Sequence, residues 1–173
     1  MTEVRRVYWD TSVFLCFFNR DEQERRKICE DILRHAQSGN LKLFTSTFTI
    51  AEVVNGRRRS LPTARRLTPD EVAKIRGMFE WDWLKKIDVD QRVAFKAQEL
   101  ARDYGLKPSD AIHAAAAVIW KLDVLQRWDR DFSKIAHLIA VEYPIRLTTQ
   151  GHFEGPGFGR IGPSPEDFDD PAA

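Results

Sequence analysis

Apolar positions along the chain fall into two rhythms. Short β-rich runs at Val4–Trp9, Leu41–Thr45, Lys86–Val89, Asp123–Arg127 and Ile145–Thr148 predict five strands. Between them, apolar residues recur at helical spacing. Ile28, Ile32 and Leu33 mark a helix over Asp21–Ala36, and Ile50, Val53 and Val54 mark another over Thr47–Arg59. Thr68–Trp83, the amphipathic Asp90–Tyr104 and the alanine-rich Ser109–Trp120 follow, and Val13–Phe18 is a very apolar helical turn after the first strand. Ser38-Gly39-Asn40 and Gly105 stop the helices before them. Strands that alternate with helices imply an α/β domain with parallel pairing and right-handed crossovers.

The pattern ends near residue 149. From Gln150 to Ala173 the chain holds five of its nine glycines and four of its eight prolines, and it closes on an acidic stretch. This composition predicts an irregular tail outside a domain of residues 1–149. Gly157-x-Gly159-x-x-Gly162 spells a dinucleotide fingerprint, but no strand precedes it, and Pro163 and Pro165 rule out the helix that would hold a pyrophosphate.

The length of 173 residues fits one domain with a real core. The net charge of +1 conceals an uneven distribution. The tail sets five acids against Arg160 alone, a balance of −4, which leaves +5 for the rest of the chain. Arg57, Arg58, Arg59, Arg65 and Arg66 form a dense basic run, read as a contact for the phosphates of a polyanion or for a protein partner. Cys16 and Cys29 lack metal or redox spacing and read as free buried thiols of a reducing cytoplasm. No apolar run is long enough to span a bilayer, so a soluble protein without membrane contact is expected.

With the elements placed, the acidic residues gather at one edge. Asp10 closes the first strand, Glu52 lies early in the helix after the second, and Asp129 and Asp131 follow the fourth. Asp110 opens the helix before that strand. In an open parallel sheet this carboxyl edge is where ligands bind. Each residue also has a plainer explanation. Asp10 and Asp131 can cap helices, Thr49-x-x-Glu52 matches a capping box, and Asp110 complements a helix dipole. Four such coincidences at one edge favour a site. Two carboxylates about 4 Å apart repel by about 4 kcal/mol at an effective dielectric of about 20, so a cluster calls for a cation. Oxygen ligands without His or Cys point to magnesium or manganese and to phosphodiester hydrolysis. His113, one turn from Asp110, either lines this pocket or packs within its helix, and packing is preferred.

These residues resemble a known family. A strand ending in Asp10-Thr11-Ser12, the Ile50-Ala51-Glu52-Val53 segment, Tyr104 to Ala115 around Ser109-Asp110-Ala111, and Trp128-Asp129-Arg130-Asp131-Phe132 are similar to PIN domains, especially the VapC-type toxins of toxin–antitoxin pairs. The similarity runs over residues 4–148. It implies a three-layer α/β/α sandwich with a five-stranded parallel sheet, often dimeric, and a magnesium-dependent endoribonuclease restrained by a small antitoxin. Asp10, Glu52 and Asp110 match family acidic positions. Asp129 and Asp131 both match the fourth, with Asp129 preferred because Asp131 is better placed to cap the next turn. The resemblance gives Thr11 and Ser12 a supporting role through a water of the metal's shell. Arg127 and Trp128 depart from the small or hydroxylic residues usual there, and Trp128 either stacks on a base or packs on the sheet edge, the latter preferred. Two other readings stay open: an RNA-processing PIN nuclease without an antitoxin, and a PIN module that binds RNA or protein without cutting.

Overall fold

Five parallel strands, β1 (Arg6–Trp9), β2 (Lys42–Ser46), β3 (Leu84–Ile87), β4 (Val124–Gln126) and β5 (Ala140–Glu142), pair in the order β3-β2-β1-β4-β5. The structure, a computed structural model, describes residues 4–18, 22–60, 66–128 and 131–147, with the side chains of 57–60 and 131 outside that description. Six helices flank the sheet: α1 (Thr11–Phe18), α2 (Gln23–Gln37), α3 (Thr47–Ser60), α4 (Pro69–Phe79), α5 (Gln91–Tyr104) and α6 (Pro108–Ile119). None of the described helices is long and apolar enough to cross a membrane.

Alternation along the strands divides the helices into two layers. Val7 and Trp9 of β1, Leu43 of β2 and Val124 of β4 face α1 to α4 in one core, while Tyr8 and Leu125 face α5 and α6 in the other. The result is the three-layer α/β/α sandwich with a parallel sheet. Ala114, Ala115, Ala116 and Ala117 are all buried. Their small side chains explain why an alanine-rich helix can lie close against the sheet. Cys16 and Cys29 are buried free thiols, and the Cys29 thiol is pushed up by the neighbouring Cys16 sulfur and by burial.

Several expected boundaries move, each for a local reason. The fifth strand is Ala140–Glu142 and not Ile145–Thr148. Val141 pairs with Leu125 in the ladder, whereas Pro144 has no N–H to donate and Ile145 is exposed. The third strand starts earlier than Lys86, because Leu84 and Ile87 are the residues that bury, one toward each core. The helix expected over Thr68–Trp83 stops at Phe79, and Trp81 and Trp83 stack on each other in the turn that follows. The capping box that Thr49 and Glu52 match by spelling, the plainer alternative for Glu52, does not form. With α3 starting at Thr47, Thr49 sits inside the helix and its hydroxyl meets those of Thr45 and Ser46.

A capping box does form one helix later. Thr68 accepts from the Glu71 amide, and the Glu71 carboxylate accepts from the Thr68 amide at 2.7 Å. Thr68→Ala removes one arm of this pair and is expected to destabilise the protein by about 1 kcal/mol in urea denaturation. An unchanged midpoint would mean that tertiary packing alone holds the start of α4. The Gly105 stop at the end of α5 is as predicted: its φ of +64° is a left-handed conformation suited to glycine.

Candidate active site

The chain leaves β1 toward β2 on one side and returns through β4 on the other, so the carboxyl end of β1 is a point where connections part and a crevice opens. Asp10 stands there. The backbone holds it, since its amide donates to the Gln126 carbonyl at 3.3 Å. Beneath it the buried Trp9 indole donates to Gln126 Oε1 at 2.8 Å, locking β1 to β4. Asp10 Oδ1 accepts from the Ser12 hydroxyl at 2.5 Å and from the Val13 amide at 3.3 Å. Asp10 therefore caps α1 at the carboxyl end of β1. Only 5% of it is exposed. Burial pushes its carboxyl above the usual range, outweighing the pull of His113, Ser12, Val13 and Arg127.

Glu52 lies on α3 and is half-buried. Its Oε2 accepts from the Thr11 hydroxyl at 2.5 Å and meets His113 Nε2 at 2.7 Å. Partial burial works against ionisation here, yet the hydrogen bonds from His113 and Thr11 hold Glu52 below its ordinary value. Asp110 lies in the first turn of α6, two residues after Pro108, and is half-buried. Pro108 suits a helix start, since its missing N–H would be unsatisfied there anyway. These three carboxylates come from three elements that end or begin at the same sheet edge.

A model of the PIN domain family matches residues 7–138. The chain belongs to the PIN-domain family. PIN domains are generally nucleases, so phosphodiester hydrolysis is the class of activity that comes with the family. Two solved structures share the fold. One is a toxin–antitoxin complex from Klebsiella pneumoniae, 21% identical, with a TM-score of 0.54 over 82% of this chain and 99% of that one. The other is VapBC2 from Rickettsia felis bound to a DNA fragment from their promoter, 17% identical, with a TM-score of 0.56 over 80% and 98%. No curated protein gives a significant match.

Within this PIN domain the predicted residues have different fates. Among the described residues, no three His, Cys, Asp or Glu side chains stand close enough to enclose a metal ion. Asp129 lies outside the described residues, and Asp131 opens a short 3-10 turn, Asp131–Ile135, with its side chain outside the description. Thr11 and Ser12 donate to the Glu52 and Asp10 carboxylates, so in this structure they support the acids themselves. Arg57, Arg58 and Arg59 ride on α3 with their side chains outside the description, as is all of Arg65, and Arg66 is exposed. Trp128 packs against the core, stacked on Tyr143 at 6.0 Å with the Arg25 guanidinium 4.7 Å from its ring, as the packing reading has it. The departure at Arg127 is also accommodated: its guanidinium lies 4.6 Å over the buried Phe132 ring.

His113 requires a correction. It is more than a packing residue of its helix, because it reaches Glu52, Thr11 and Tyr8 at the site. Tyr8 was missed entirely. It reads as one more apolar position in a strand, although a fully buried phenol nearly always needs a polar partner. That requirement was the available signal.

Proposed function

We propose that this chain is a divalent-metal-dependent endoribonuclease, the toxin of a toxin–antitoxin pair. The observation that carries the reading is Asp10, a carboxylate buried at the carboxyl end of the central strand, where ionisation is unfavourable without a nearby cation. Glu52 and Asp110 add oxygen donors from two further elements, a donor set suited to a hard cation. Asp129 or Asp131 would supply the fourth carboxylate. Bound there, magnesium or manganese would offset charge on the phosphodiester and lower the pKa of the attacking water.

The residues of the chain have distinct tasks in this scheme. Asp10, Glu52 and Asp110 would hold the cation, while Ser12 orients the Asp10 carboxylate and Thr11 that of Glu52. Arg57, Arg58 and Arg59 lie on α3 beyond Glu52, and with Arg65 and Arg66 they form a basic run in the sequence that suits contact with an RNA backbone. RNA as substrate rests on the resemblance to VapC-type toxins. A small antitoxin as partner is supported by the two structural neighbours, a toxin–antitoxin complex and VapBC2.

The test is incubation of the full chain with a pool of structured RNAs, followed by mapping of the cut ends. Cleavage is expected with magnesium or manganese, with none in chelator and none from Asp110→Asn. Cutting that persists in excess chelator would sink metal dependence. An intact RNA pool with metal present would sink the substrate assignment.

A further inference from the structure

Residues 105 positions apart in sequence meet in a buried hydrogen-bonded chain that ends on Glu52. The Tyr8 hydroxyl lies 2.8 Å from His113 Nδ1, and His113 Nε2 lies 2.7 Å from Glu52 Oε2. Thr11 closes a triangle, its hydroxyl 2.5 Å from the same Oε2 and 3.1 Å from Nε2. His113 is 2% exposed, and its ring is wedged between Phe48 and Tyr8, with centroids 5.8 and 5.9 Å away.

The proton positions follow from the partners. An ionised carboxylate has no proton to give, so Nε2 must carry one and donate it to Oε2. In the neutral imidazole Nδ1 is then an acceptor, and Tyr8 is the donor it meets. Both donors to Glu52 converge on Oε2, so Oε1 has no hydrogen bond among the described residues.

We propose that Tyr8 and His113 form a positioning pair that holds Glu52 by Oε2 and leaves Oε1 as its ligand oxygen for the divalent cation. This rests on the metal-dependent nuclease reading. Neither residue touches the substrate. They act by fixing the orientation of one carboxylate, as a hydrogen-bonded second layer does around many metal sites.

Two measurements on the full chain without RNA test the pair independently of cleavage. The first uses ¹⁵N-labelled histidine. His113, picked out from the four histidines by the signal lost in His113→Gln, is expected to show a protonated Nε2. An unprotonated Nε2 overturns the proposal. The second is manganese binding followed by electron paramagnetic resonance, with Glu52→Gln as the reference for loss of the ligand. His113→Leu is expected to weaken manganese binding about tenfold or more. His113→Gln, whose amide can still donate to Glu52, is expected to recover most of it, which a purely structural role would not predict. Tyr8→Phe removes one hydroxyl, so it decides the matter if His113→Leu fails to fold, and a weakened affinity is expected from it too. In RNA cleavage the loss should fall on kcat and not on KM.

Manganese affinity unchanged by Tyr8→Phe and His113→Leu, but weakened by Glu52→Gln, overturns the pair and leaves the nuclease reading standing. Protein that binds manganese in the expected order but cuts no RNA supports the pair and sinks the substrate. Wild-type protein that binds no manganese overturns both.

Discussion

Asp10→Asn is expected to lower metal-dependent RNA cleavage by roughly a thousandfold while leaving the metal-free protein at least as stable as the wild type. The first half follows from the cation: a metal contributes several kcal/mol to charge stabilisation in the transition state, and about 4 kcal/mol is a factor of a thousand in rate. The second half follows from burial. Asn keeps an oxygen to accept from Ser12 and from the Val13 amide, so the cap of α1 survives. What disappears is a buried negative charge whose desolvation outweighs all its partners. The carboxyl titrates higher in the folded than in the unfolded state. Its cost therefore appears as pH rises from the unfolded value through the folded one, and is fully present above the latter. At neutral pH without metal, Asp10→Asn should therefore melt at or above the wild-type temperature. The difference should close as pH falls toward about 4, where the unfolded carboxyl also protonates. Magnesium should raise the Tm of the wild type and leave that of the variant unchanged, since only the former binds it well. A variant that cuts RNA at the wild-type rate removes Asp10 from the site. A variant that melts far below the wild type shows that the aspartate is needed for the fold.

Phe14→Ala tests the scaffold beneath that site and is expected to cost about 3–5 kcal/mol. Phe14 is fully buried on α1. Its ring meets Trp9 edge-on at 5.4 Å and Phe79 at 5.3 Å, tying α1 to the end of β1 and to α4. The substitution loses the transfer energy of the ring, leaves a cavity and breaks both aromatic contacts. A domain of this kind is stable by about 5–15 kcal/mol in total, so the change removes a large share. Urea denaturation of the two proteins measures it, and a loss under about 1 kcal/mol would mean that the site collapses around the gap. Because Trp9 also carries the hydrogen bond to Gln126, the variant should loosen the strand end that presents Asp10.

Legibility from sequence varied with how local the governing physics is. The existence of most elements followed from short-range signals. Gly105 ends α5 because a left-handed residue is needed there, and the spacing of Ile28, Ile32 and Leu33 draws α2 without reference to the rest of the fold. Element edges followed less well. Ile145 looks like strand material, but the ladder can form only where an N–H faces β4, and Pro144 stands in the way. Thr49 and Glu52 spell a capping box that would cap only if the helix began three residues later than it does. Its counterpart at Thr68 and Glu71 has the same spelling and does cap, since Pro69 starts α4 just after it.

The sequence by itself determined the class of protein, a parallel α/β architecture from alternating periodicities, and it singled out Asp10, Glu52 and Asp110 at segment ends as candidate site carboxylates. Both depend on residue type and spacing, which are properties of the chain alone. Only the tertiary structure decided which groups share a proton or a carboxylate. Tyr8, Glu52 and His113 come from β1, α3 and α6, and nothing in their local sequence marks them as partners. Their meeting depends on which face of β1 Tyr8 occupies and how closely α6 lies on the sheet. Those are consequences of burying the two cores together, so they become visible only once the chain is packed.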